Sequence, residues 1–421
     1  MKYIYSNSDL AMEYLTKYNV FLTGPPGFGK SYLVNKFIKW ANNMNISVSI
    51  TASTGIAAKI INGTTLHSWA GIGLGQETKE KLLENIMAKS YKKATWRKTN
   101  ILIIDEISMI SGELWSILDF IGRSIRKVNK PFGGIQILAV GDFYQLPPVK
   151  GKMLIDKTVG FDGYFDYAIC LNQSFRSTDS KLDDILSRVR NGNILTDEQN
   201  SLLQSKVDIN NIKYPVLVSL RDTARDMNKQ KLSELTTIEY KYNADIYLVD
   251  KKTSEKINES TPLYENFKKV AQADCTMENN LILKKGCPVI YLVNNPETGL
   301  VNGSVGFIEE FRNGNPYVKF EHIKVEITKH KFIKEFNDCS VIIEQYPLLL
   351  SYALTIHKSQ GQTLSQATIL LDSTVWEDGQ AYVALSRLKS LDNLSLLSYD
   401  TKVFKVGAKV KEFYEQFNSS V

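Results

Sequence analysis

The chain has 421 residues, 43% of them apolar and 23% charged, with a net charge of +6. That length supports two or three domains with their own cores, and the composition excludes a disordered or collagen-like chain. With no apolar run of about 18 residues, it also excludes a membrane-spanning helix.

The opening stretch MKYIYSNSDLAMEYL lacks the charged-then-apolar order of a secretion signal, so the protein is expected to stay in the compartment where it is made. Uninterrupted Val, Ile and Leu runs then predict strands buried on both faces at Asn19–Thr23, Ile46–Thr51, Ile101–Ile104 and Ile135–Val140. Between the first two, Leu33, Val34, Phe37, Ile38 and Ala41 recur at helical spacing and predict a helix over Ser31–Asn42. A small insertion occupies about Gly71 to Lys98. Its segment Thr78–Ser90 places Leu82, Leu83, Ile86 and Met87 on one face of an amphipathic helix. The basic cluster that follows, Lys89, Lys92, Lys93, Arg97 and Lys98 with Tyr91 and Trp96 between, suits a solvated helix end or a polyanion contact equally.

A second α/β region is expected from about Leu171, with strands at Tyr214–Leu220, Leu348–Thr355, Ala367–Asp372 and Leu394–Leu397. Within it, about Ile238 to Gln345 reads as a small antiparallel barrel. Its short runs Pro288–Val293, Val305–Phe311 and Pro316–Phe320 are separated by Asn-Asn-Pro, Asn-Gly and Gly-Asn-Pro turn signals. The cysteines Cys170, Cys275, Cys287 and Cys339 stand apart, without C-x-x-C pairs or nearby histidines, and are expected to be reduced and mostly buried.

Three segments carry chemistry. Gly24-Pro25-Pro26-Gly27-Phe28-Gly29-Lys30-Ser31 matches G-x-x-x-x-G-K-[ST], with an apolar strand before it and a helix after it. Glycines let backbone N–H groups turn inward around phosphates, and the helix N-terminus adds partial positive charge. Lys30 is assigned to the β- and γ-phosphates and the Ser31 hydroxyl to Mg2+. The run Leu102-Ile103-Ile104-Asp105-Glu106 delivers two carboxylates at a strand end, Asp105 for Mg2+ and Glu106 as general base toward the attacking water. Gly141-Asp142-Phe143-Tyr144-Gln145-Leu146-Pro147-Pro148-Val149 again follows an apolar strand, and the Gln145 amide is suited to sensing the γ-phosphate. Phosphoryl transfer also needs late-arriving positive charge, for which Arg176 and Arg387 are the candidates; for either alone, a structural salt bridge is the better reading.

The segments Thr51–Ala58, Gly63–Gly73, Lys130–Gln136, Leu354–Thr363 and Tyr382–Arg387, in this order, closely resemble the PIF family of superfamily one DNA helicases. The resemblance runs from residue 20 to about 390. It implies an α/β fold of two RecA-like P-loop domains flanking ATP, with a wedge-like insertion and an SH3-like barrel insertion. The first motor domain would be 1–70 and 99–172, the wedge 71–98, the second motor domain 173–237 and 346–421, and the barrel-containing insertion 238–345. It further implies an ATP- and Mg2+-dependent motor acting as a monomer. Such a motor translocates 5′-to-3′ on single-stranded DNA, unwinds duplex or structured DNA, and works with replication or repair proteins in a DNA-containing compartment.

By the same resemblance Gly361 joins the nucleotide-binding residues Gly24 to Ser31. Thr54, Thr64, His67, Asn302, His357, Lys358 and Ser359 fall in segments that contact DNA, where short polar groups suit phosphates. Trp69, Phe143 and Tyr144 are expected either to stack on bases or to pack in the core. Two departures stand out. No glutamine precedes Gln76, although the family carries one upstream of the phosphate loop to read adenine; backbone groups around Tyr3 to Asp9 would then serve. Phe28 stands where a small polar residue is usual. An RNA or RNA–DNA hybrid translocase, and an ATP-switched nucleic-acid-binding scaffold, are the competing readings; the full set Lys30, Asp105, Glu106, Gln145, Arg176 and Arg387 argues against the scaffold.

Overall fold

The computed structural model describes all residues except 74, 76, 173–178, 252, 254, 258–263, 266–276, 294, 296, 301–302, 336–338 and 419–421. The chain divides into two compact units. One comprises Met1–Val207, Leu371–Asp392 and Ser398–Val421, and the other Asp208–Leu370 and Asn393–Leu397.

The first unit is built on a seven-stranded sheet. Its strands are β1 (Lys2–Ser6), β2 (Val20–Thr23), β3 (Val48–Ala52), β4 (Thr64–Thr65), β5 (Ile101–Asp105), β6 (Gln136–Val140) and β7 (Tyr167–Leu171), in the spatial order β1-β7-β2-β6-β5-β3-β4. Every pair is parallel. Three of the predicted strands lie where their apolar runs placed them, because β2 and nearly all of β5 and β6 are buried on both faces, whereas the strand expected from Ile46 starts at Val48 and its first three residues are only partly buried. The polar-flanked β1 and the later β7 escaped prediction. Helices α1 (Ser8–Leu15) and α2 (Lys30–Asn43) cover one face. Leu33, Val34, Phe37 and Ala41 of α2 are buried with Leu22, Ile103, Leu138 and Ile169 in one core. Each such aliphatic or aromatic side chain contributes roughly 2 kcal/mol of burial.

Further helices of this unit include α3 (Gly55–Ile60), α4 (Leu66–Ala70), α5 (Lys79–Met87), α6 (Ser90–Lys98), α7 (Gly112–Arg126) and α8 (Ser180–Asn191). The helix expected at Thr78–Ser90 is α5, started by Thr78, whose side chain accepts from Lys81 N. The segment Pro131–Gly134 is a packing device against α7. A Cβ on Gly133 would meet the Gly122 carbonyl oxygen at 2.3 Å, the Phe132 N–H donates to Asp119 Oδ1 at 2.7 Å, and Arg126 Nε donates to Gly133 O at 2.7 Å. Arg126 Nη1 also reaches the carbonyls of Trp96, Arg97 and Thr99, closing the end of α6.

In the second unit, strands Ala353–Thr355, Val216–Val218 and Ala367–Leu371 are parallel neighbours, with Leu394–Tyr399 next in order. The expected single strand Leu348–Thr355 is two. Leu348–Leu350 joins an antiparallel sheet through Pro288–Tyr291, and Ala353–Thr355 joins the parallel one. Ser351 and Tyr352 make the handover, since Ser351 N–H donates to Pro288 O while Tyr352 O accepts from Val216 N. Among the described residues, the expected barrel region forms antiparallel sheets of three and two strands and four strands of a five-stranded sheet, the fifth being Leu348–Leu350.

Residues 371–392 and 398–421 belong to the first unit, because the Gly379 backbone lies against the carbonyls of Tyr144 and Gln145, and Phe413 and Phe417 pack on Tyr3. Among the described residues no helix is long and apolar enough to cross a membrane.

Candidate active site

The phosphate loop leaves β2 at Thr23 and enters α2 at Lys30. Gly27 and Gly29 hold φ of 87° and 83°, in the left-handed region that glycine adopts without a Cβ clash. Gly29 caps α2 with no side-chain hydrogen bond, which leaves the first N–H groups of the helix for an anion. Lys30 Nζ donates to the carbonyls of Gly24 at 2.5 Å and Pro25 at 2.9 Å. Burial lowers the Lys30 pKa, and the carboxylates of Asp142, Glu106 and Asp105 oppose that shift. Ser31 is exposed on the first turn of α2. Phe28, the departure noted in the sequence, packs against the apolar core beneath the loop, so its ring replaces a polar contact with buried area.

One strand beyond the neighbour of β2, β5 ends in Asp105. Burial first, and the adjacent Glu106 second, push its pKa up to about 7. Crowded carboxylates of this kind fit a divalent cation, whose charge favours their ionised forms. The Glu106 N–H donates to Asp105 Oδ1 at 2.9 Å. Glu106 itself has φ 51° and ψ 48°, a left-handed backbone costing roughly 1–2 kcal/mol for a side-chain-bearing residue. That turn ends the strand at the carboxylates, and strain of this kind gathers at functional sites.

Between them, β6 delivers Gly141 to Gln145. Gln145 is buried, its N–H donating to Asp142 O at 2.9 Å, and its side-chain oxygen has no hydrogen-bond partner among the described residues. The ends of three consecutive strands, β2, β6 and β5, thus carry the loop, the glutamine and the carboxylates. Arg387 belongs to the same compact unit. It is 3% exposed, Nε donating to Val383 O and Nη2 to Ser386 Oγ. Arg176 and Asn302 lie outside the described residues.

A group that sequence reasoning missed adjoins this edge. Asp142 is fully buried and receives both Nε and Nη2 of Arg190, at 2.9 and 3.0 Å, and the hydroxyls of Tyr382 at 3.3 Å and Tyr414 at 3.1 Å. Burial alone would lower the Arg190 pKa, but Asp142 overrides it and holds it well above the ordinary value. The sequence signals for this group were Asp142 inside the third motif and Tyr382 at the head of the segment Tyr382–Arg387; Arg190 and Tyr414 carried none.

Thr54 starts α3, its Oγ1 accepting from Ala57 N, and Thr64 is exposed on β4. His67 lies half-buried on α4, and Gly361 sits in the second unit with φ 78°. On the helix Ile356–Ser359, Lys358 is exposed and His357 half-buried, but Ser359 is fully buried with Oγ donating to Ile356 O, which turns its hydroxyl inward rather than toward a strand. For the aromatics, where base stacking and core packing were both open, the rings are buried. Trp69 is 6% exposed against Trp96, Phe143 is 1% exposed among Phe21, Phe161 and Phe413, and Tyr144 stacks on Tyr414. Core packing claims all three rings.

The model of the PIF1-like helicase family matches residues 4–198. The ATP-dependent DNA helicase Pif1 of Bdellovibrio bacteriovorus is 34% identical, the alignment covering 95% of this chain and 88% of that protein. The chain belongs to the PIF1-like helicase family. Another member, the ATP-dependent DNA helicase RRM3 of Saccharomyces cerevisiae, is 30% identical, and the alignment covers 95% of this chain but 65% of RRM3. The chain therefore spans somewhat less than two thirds of that longer relative. The crystal structure of the Candida albicans Pif1 helicase superposes with a TM-score of 0.81 at 31% identity, covering 97% of this chain and 98% of the other. That match extends the family's α/β architecture, with its RecA-like parallel core, over nearly the whole chain.

Proposed function

We propose that this chain is an ATP-dependent DNA helicase that moves 5′-to-3′ along single-stranded DNA and unwinds duplex in replication, repair or recombination. The observation that carries the reading is the arrangement of the phosphate loop, Gln145 and the Asp105–Glu106 pair at the carboxyl ends of neighbouring strands. The names of its relatives, ATP-dependent DNA helicases, support the choice of nucleotide and track.

In this reading the inward-turned loop N–H groups and Lys30 bind the β- and γ-phosphates. The exposed Ser31 hydroxyl and the crowded Asp105 carboxyl fit Mg2+ and would hold it; when bound, the ion supplies charge neutralisation for the transferred phosphoryl group. Glu106 accepts the proton of the attacking water, and the Gln145 amide reports the γ-phosphate. Arg387 stabilises developing charge once its guanidinium leaves Val383 and Ser386. Helices α5 and α6 are assigned to the wedge, the antiparallel insertion to the SH3-like subdomain, and Thr54, Thr64, His67, His357 and Lys358 to the DNA backbone.

Strand displacement on duplexes bearing a 5′ or a 3′ tail tests the reading. The 5′-tailed duplex should open only with ATP, and DNA affinity should fall steeply with salt, as phosphate contacts require. Opening of the 3′-tailed duplex alone would reverse the polarity, and stronger ATPase stimulation by RNA than by DNA of equal length would replace the track.

A further inference from the structure

The pair formed by Asp142 and Arg190 is more than a buried ion pair. Tyr414 Oη, which contacts Asp142 Oδ1, also accepts from the Phe143 N–H at 3.1 Å and lies 2.6 Å from Thr23 Oγ1, the residue before the phosphate loop. Tyr144 N–H donates to Asp142 Oδ1 at 3.2 Å, and the Arg190 guanidinium carbon lies 4.3 Å from the Tyr144 ring centre and 5.0 Å from that of Tyr414. Tyr382, the remaining donor, sits on the helix Gln380–Leu385, whose following turn carries Arg387. One carboxylate therefore joins the entry to the phosphate loop, the segment that bears Gln145, and the helix leading to Arg387.

The side-chain amides nearby do not do this holding. Among the described residues, Gln145 Oε1 and both amide atoms of the fully buried Gln380 have no hydrogen-bond partner. Buried amides left in that condition are strained in energy and open to a new partner. The backbone of 142–145 is instead fixed from behind by Asp142, and from the side by Gly379, where an added Cβ would meet Tyr144 O at 2.4 Å. A charge pair needed for packing alone could be exchanged for apolar residues without loss. A planar fork gripping one carboxylate while resting against two rings fixes an orientation as well, which lysine does not reproduce.

We propose that Arg190 is a positioning residue for ATP hydrolysis: through Asp142, Tyr382 and Tyr414 it sets Gln145 toward the γ-phosphate and keeps that segment in register with the Arg387 helix. The proposal rests on Gln145 as the γ-phosphate sensor, so Gln145→Ala is measured in parallel.

The test uses the full chain with Arg190→Lys, Tyr382→Phe and the charge-neutral pair Asp142→Asn/Arg190→Gln, which removes the uncompensated buried charge that Arg190→Ala would leave. For each, steady-state ATPase with saturating oligo(dT) gives kcat and KM. Affinity for the same oligonucleotide is read without nucleotide, with ADP and with ADP–aluminium fluoride. We expect kcat to fall about tenfold or more in Arg190→Lys and the double variant, and severalfold in Tyr382→Phe, with KM within about threefold of the parent. Nucleotide-free DNA affinity should stay unchanged while the difference between the ADP and ADP–aluminium fluoride states shrinks. Folded variants that keep both kcat and that nucleotide response, while Gln145→Ala loses them, overturn the proposal. If Gln145→Ala also keeps them, the sensor reading itself has failed.

Discussion

The phosphate loop draws its groups from the consecutive residues Gly24–Ser31, whereas the charge cluster around Asp142 takes Thr23, Tyr144, Arg190, Tyr382 and Tyr414 from far-separated stretches of chain. The loop works through backbone geometry, so its residue types are dictated by local dihedral angles and one cation. The cluster works through side chains that meet only in the folded unit, where one carboxylate satisfies several donors. Local chemistry of the first kind is readable as a pattern; assembled chemistry of the second kind is not. Both border the same strand ends, so substitutions can separate what each contributes.

The largest effect should come from the local half. Lys30→Ala removes the loop's only ammonium, and phosphate release in the presence of single-stranded DNA should fall to background. Retained turnover would detach the loop from hydrolysis. Glu106→Gln should keep nucleotide and DNA binding but slow single-turnover hydrolysis by about 10²–10⁴-fold, the range expected for a lost general base. A parental rate would remove Glu106 from that role.

Gly379→Ala probes the assembled half. At φ 76° the new methyl would press on Tyr144 O, and we expect a loss of roughly 2–3 kcal/mol, seen as a Tm lowered by several degrees. An unchanged Tm would mean that the Gly379 contact does not constrain the segment. The smallest effect is Phe143→Leu, costing about 1–1.5 kcal/mol as a near-isosteric core change with DNA affinity untouched. A clear loss of oligonucleotide affinity at constant fold would return Phe143 to the DNA-stacking role.

Much of the first unit was legible because β2, β5 and β6 are apolar at all but one end residue and each is followed at once by its chemistry. Glu106 was legible as a carboxylate but not as a left-handed residue, since no pattern encodes φ. Trp69, Phe143 and Tyr144 were ambiguous because a ring that stacks on bases and a ring that stacks in a core have the same composition. Arg190 was illegible for a different reason. Its helix reads as amphipathic with Leu182, Ile185 and Val189 inward, and nothing local marks that one arginine follows them into the core. The split of Leu348–Thr355 between two sheets likewise has no local mark, because an apolar run suits either partner.

The contact between Thr23 and Tyr414 spans 391 positions of chain, and this bears on how the protein is made. Domains of a growing polypeptide usually fold in order of emergence from the ribosome. Here the first unit to begin is the last to finish, since the helix Ala408–Asn418 supplies Tyr414 after residues 208–370 of the other unit have been synthesised. The nucleotide-binding edge is thus left without its last buried hydroxyl until translation reaches that helix. Nascent chains arrested before residue 408 should expose this edge to protease, and chains extended past residue 418 should not.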